Sequence, residues 1–124
     1  MGLYNFQPRF VPFIKSGNKT HTIRAMRKHP DEPGDMLYLY TGLRTKKAKL
    51  LLEARCVRTE IIEIFASAQS PLAGDCLVII DGNRLDKMEK EVLAHRDGFE
   101  NFVEMMKFWD GRLPFVGQII HWKK

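Results

Sequence analysis

The strand-like segments of this chain are segregated from its helical ones. A short helix, several strands, a pair of helices and a closing strand follow in that order, with no repeated strand-helix-strand unit. That order predicts an α+β fold with a mostly antiparallel sheet. At 124 residues the chain matches the size of one domain spanning residues 1–124, and its 44% hydrophobic content is that of an ordinary packed core rather than a disordered segment.

The elements follow from local chemistry. Phe10, Val11, Phe13 and Ile14 mark one face of a short helix entered at Pro8 or Pro12, where proline fits a first turn, and stopped by Gly17. Thr20–Ala25 alternates and is β-branched, hence a strand. The breaker-rich stretch from Lys28 to Asp35 is a loop before a second strand, Met36–Tyr40. Leu43–Lys47 is a basic loop, and the run from Ala48 to Ile64 reads as one bent strand or two, with Leu50, Leu52, Ala54 and Cys56 on one face. Ser70-Pro71 breaks the chain before the strand Cys76–Ile80, and Asp81-Gly82-Asn83 is a tight turn. Leu85, Met88, Val92 and Leu93 mark one helix, Phe99 to Trp109 a second, and Phe115–Trp122 the last strand. Trp109, Trp122, Met88, Met105 and Met106 are expected in the core, and His21 is expected to pack under the helices.

Several function classes are disfavoured. No stretch has the roughly 18–20 apolar residues of a membrane span, and the first residues lack the charged and apolar regions of a signal peptide. Cys56 and Cys76 are too few for a disulfide framework and read as reduced, buried thiols of a cytoplasmic protein. GxGxxG, GxxxxGK[ST], CxxC, HExxH and GxSxG are all missing, and His21, His29, His95 and His121 are scattered, so neither a metal nor a cofactor is expected. The net charge of +5 is one-sided. Residues 1–58 carry twelve Lys+Arg against four Asp+Glu, and residues 59–124 carry eight against eleven. Such a field suits a polyanion such as nucleic acid.

The segment Gly17-Asn18-Lys19-Thr20-His21-Thr22-Ile23-Arg24 is where chemistry can gather. On a strand Thr20, Thr22 and Arg24 share one face, and His21 and Ile23 the other. Lys19 precedes the strand with its direction left open, so an amine, hydroxyls and a guanidinium can converge; a solvated strand edge would have the same spacing. Arg44, Thr45, Lys46 and Lys47 are candidates for phosphate contact. Tyr38 and Tyr40 share a strand face from which Tyr40 can stack a base, or on which both can pack in the core.

The pattern Gly17-x-Lys19-x-x-Thr22-x-Arg24 after a short apolar helix resembles the G-x-K-x-x-[TE]-x-R motif of ASCH domains. Pro33-Gly34-Asp35 before a strand, Asp97-Gly98-Phe99 before a helix and the closing strand fit the same family across essentially the whole chain. The resemblance implies a PUA-like, partly closed β-barrel with flanking helices. It implies an RNA-binding or nucleotide- or nucleoside-binding cleft containing the motif, with Arg24, Arg44, Thr45, Lys46, Lys47 and Tyr40 as substrate contacts. The alternative it implies is an amidohydrolase acting on a modified nucleoside such as N4-acetylcytidine, or a ribonuclease using the same cleft. The family's catalytic lysine and threonine fall on Lys19 and Thr22, and its glutamate on Asp97, a shorter acid.

Overall fold

The computed structural model describes residues 2–66 and 76–123; the predicted break at Ser70-Pro71 lies outside the described residues. Among these, strands β1 (Gly2–Phe6), β2 (His21–Ala25), β3 (Met36–Thr41), β4 (Lys49–Phe65), β5 (Leu77–Ile80), β6 (Asn83–Arg84) and β7 (Phe115–Trp122) form one sheet. A 3-10 turn (Pro8–Phe10) leads into helix α1 (Val11–Ser16), and helices α2 (Lys87–Arg96) and α3 (Phe102–Phe108) lie between β6 and β7. The sheet is mixed but mostly antiparallel, and it curls into an open half-barrel with the helices packed on it.

The run from Ala48 onward is a single strand. Its first part pairs with β3, its second with β7 and its end with β5. The register with β3 shifts between Leu39 and Tyr40, and that with β7 between Cys56 and Arg58. Extra residues of this kind bend a strand and raise its twist, and Val57, at the second shift, is exposed. Ala54, Cys56, Ile62 and Ile64 point into the core, whereas Leu50 is exposed, contrary to the face predicted for it.

Strand β1 is an addition to the predicted set. Its Tyr4 and Phe6 turn inward while Leu3 and Asn5 turn out, and it runs parallel to β3. Among the described residues its other edge has no strand partner, and neither has the outer edge of β2. Two arginines bridge this seam: Arg24 Nη2 donates to Asn5 O at 2.7 Å and Arg27 Nη2 to Leu3 O at 2.8 Å. Their guanidiniums lie over the rings of Phe6 (4.8 Å) and Tyr4 (4.0 Å), an arrangement worth about 0.5–2 kcal/mol per pair. Tyr4 also donates a hydrogen bond to the buried Asp31 carboxylate.

The core between sheet and helices holds Leu37, Leu39, Val78, Met105, Ile119 and Trp122. Trp109, Trp122, Met105 and Met106 are buried as predicted, and so are both thiols, but Met88 is 76% exposed on the outer side of α2. Among the described residues no helix is long and apolar enough to cross a membrane.

Candidate functional site

The site begins at the end of α1. Gly17 takes the left-handed conformation (φ +83°) that glycine adopts without a Cβ penalty, and its N–H caps the helix on Ile14 O. The chain then doubles back, and the Lys19 N–H donates to Phe13 O at 2.9 Å. This reversal sends the Lys19 side chain inward, beside the Phe10 ring (5.1 Å), until it is 3% exposed.

The far partner comes from α2. That helix opens with a reciprocal cap between Asp86 and Glu89 and closes at Asp97, whose N–H donates to Leu93 O. Gly98 follows at φ +97°, so close to Phe10 that a Cβ there would lie 3.0 Å from its ring. Lys19 Nζ donates to both Asp97 O (2.8 Å) and Asp97 Oδ1 (2.6 Å). The amine thus satisfies a terminal helix carbonyl, where a cation also meets the negative end of the helix dipole.

Burial pushes the Lys19 amine down from its ordinary range. The Asp97 carboxylate pulls it back up, Arg24 adds to the depression, and the net direction is down. Burial alone would raise the Asp97 carboxyl, but Lys19 and His21 outweigh it and hold Asp97 below the usual carboxylate range. Asp97 is thus favoured as a carboxylate, beside an amine that holds its proton less firmly than a surface lysine does.

Thr22 and Arg24 lie on the next turn of the same arrangement. Arg24 Nε donates to Thr22 Oγ1 at 3.0 Å, which leaves the threonine hydroxyl hydrogen free. Lys19, Thr22, Arg24 and Asp97 all line one cavity of about 430 Å³, within the usual range of about 300–1,000 Å³ for small-molecule pockets. Phe6, Phe10, Phe108 and Phe115 give it an aromatic wall, and Asn5, Gln7 and Arg112 add polar groups.

The other predicted contacts stand outside this wall. Tyr40 is half-buried in β3, opposite Asn5 of β1. Arg44, Thr45, Lys46 and Lys47 are exposed, and Thr45 Oγ1 is engaged within its own turn, donating to Gly42 O at 2.6 Å. The loop does touch the rim, since Leu43 N–H donates to Asn5 Oδ1 at 2.9 Å. Sequence reasoning placed Trp109 only in the core. It is buried, but it also lines the cavity, and its Nε1–H has no acceptor among the described residues. A buried donor without an acceptor is costly, and the nitrogen itself is fully buried. Arg112, just past the helix-ending Gly111, carried no motif in the sequence. No family model, no curated protein and no solved structure matches the chain.

Proposed function

We propose that this chain is an ASCH-type, PUA-like barrel that binds a nucleoside in the cavity and hydrolyses an N4-acyl amide on its base. The observation that carries the reading is the meeting of Lys19 and Asp97, 78 residues apart, beside Thr22 at an aromatic-lined cavity. The Lys19, Thr22 and Arg24 positions agree with the GxKxxTxR pattern, and the curled half-barrel with helices agrees with the expected architecture. Aromatic faces suit a flat base, while Asn5, Gln7 and Arg112 suit its carbonyl and ring nitrogens.

The chemistry is that of an activated hydroxyl. Lys19 in its neutral form takes the Thr22 proton as Oγ1 attacks the acyl carbon. The resulting ammonium gives that proton to the departing exocyclic amine, leaving an acyl-threonine. Water then attacks the ester, its proton returning through Lys19 to Thr22 Oγ1, and the carboxylic acid leaves. Asp97 holds the lysine in place and stabilises its ammonium between these steps, and Arg24 polarises the oxygen of Thr22.

Incubation with N4-acetylcytidine tests this directly. The expected result is release of cytidine and acetate, with kcat falling at least about 100-fold in Lys19→Ala and Thr22→Val. No cytidine at high protein concentration sinks the hydrolytic reading. One feature favours a second reading, an RNA-binding module: the exposed Arg44–Lys47 loop is tied to the cavity rim through Asn5. Association with a short single-stranded RNA should then weaken steeply with salt and weaken further in Lys46→Ala/Lys47→Ala. Indifference to both removes that reading.

A further inference from the structure

Asp97 has a second neighbour that the reaction above leaves unused. His21 lies on the face of β2 opposite Thr22 and is 3% exposed. Its Nε2 stands 3.1 Å from Asp97 Oδ1, the same oxygen that receives Lys19 Nζ at 2.6 Å. A bare acceptor nitrogen at that distance would be repelled by a carboxylate, so Nε2 carries the proton. The contact is a close polar approach that misses hydrogen-bond alignment, and Nε2 makes no hydrogen bond among the described residues. Asp97 Oδ2 has no hydrogen bond there either.

We propose that His21 is a positioning residue for the Lys19 proton: it shares Asp97 Oδ1 with the lysine, fixes the carboxylate's rotation so that Oδ2 is left for the substrate, and loosens the carboxylate's hold on the ammonium. A lone donor leaves a carboxylate freer to swing than one whose same oxygen is also held 3.1 Å from an imidazole N–H. The negative charge that His21 draws upon is no longer wholly available to Lys19.

The charged surroundings of His21 come from several elements. Asp97 faces it from the end of α2 and Lys19 from the segment before β2. The His121 ring of β7 lies 5.5 Å away, centroid to centroid, and its Nε2 is 2.5 Å from Glu60 Oε1 of β4. Arg58 of β4 and Asp86, Glu89 and Arg96 at α2 share with His21 and His121 a second cavity of about 370 Å³, whose lining does not include Asp97. Burial holds the His121 imidazole below its ordinary value, so at neutral pH it presents a neutral ring to His21. The pull on Oδ1 therefore comes from His21 itself.

This inference takes its functional meaning from the hydrolytic reading, but its measurement needs no turnover. The Lys19 amine is titrated by NMR of the lysine side-chain methylenes, with its signal assigned by loss in Lys19→Met. His21→Phe should raise the Lys19 midpoint by about one pH unit, a tenfold gain in proton affinity. His21→Gln, which keeps an N–H donor at the same reach, should restore the parent midpoint, and His21→Asn, too short to reach, should not. Equal midpoints in the parent chain and in His21→Asn overturn the proposal even if His21→Phe does not fold. If cytidine is released, the Lys19-dependent limb of the kcat/KM pH profile should move by the same interval. A shifted midpoint in a chain that releases no cytidine upholds the positioning role and rejects the hydrolase.

Discussion

A lysine and an aspartate that bury one another leave little slack for change at either position. Removing one partner strands the other charge in the interior, which typically costs about 3–5 kcal/mol. Asp97→Ala is therefore expected to lose stability on that scale, read from its urea midpoint, because Lys19 keeps only the backbone carbonyl. Acid should expose the same dependence. The Asp97 carboxyl is held below its unfolded value of 3.8, so the unfolded chain binds the proton more tightly and the Asp97 contribution is lost as pH falls through the folded value. The thermal midpoint of the parent chain should drop on acidification below about pH 4. The Asp97-dependent part of that drop should vanish in Asp97→Asn; an identical acid profile in the variant would remove Asp97 from the account. Much of this residue scale was legible beforehand. Alternation along one strand put Thr22 and Arg24 on one face and His21 on the other. The unpartnered indole N–H of Trp109 was not legible, since a tryptophan on an apolar helical face looks the same in sequence whether or not its nitrogen finds an acceptor.

At the scale of elements, glycines decide how closely the pieces approach. Gly17→Ala forces a Cβ into left-handed geometry at the end of α1 and should cost about 1–2 kcal/mol by chemical denaturation. Gly117 is the tighter case. A Cβ there would lie 2.3 Å from Arg24 O and 2.4 Å from the Phe115 ring, so β2 and β7 must separate to admit it. Gly117→Ala is expected to destabilise by about 1–3 kcal/mol and to disturb Arg24 as well; wild-type stability in this variant would show that the two strands have room. Helices α2 and α3 were readable as helices from their apolar spacing, but of the face read for α2 Met88 and Val92 are exposed and Leu93 is buried. The bend in β4 was half-readable, because a long alternating run does not reveal where its register slips. Strand β1 was missed for another reason. Its partner β3 lies more than thirty residues away, and only Tyr4 and Phe6 mark its inner face.

At the scale of the whole molecule, the outer strands β1 and β2 are tied to each other by side chains rather than by a ladder. Arg27→Ala should accelerate amide exchange across Gly2–Phe6 while leaving β7, paired on both sides, at its parent rate. Unchanged exchange in β1 would mean that Arg24 and the ladder with β3 hold the strand without Arg27. The charge asymmetry in the sequence is explained in part by this closure. Arg24 and Arg27 work within the fold, while Lys15, Lys28 and Lys49 stay exposed along with the Arg44–Lys47 loop. Arg24 serves two masters: it clasps the backbone of β1 and it borders the ligand cavity. A guest that draws its guanidinium away from Asn5 slackens the join, so occupancy of the pocket and tautness of the barrel wall draw on one and the same side chain.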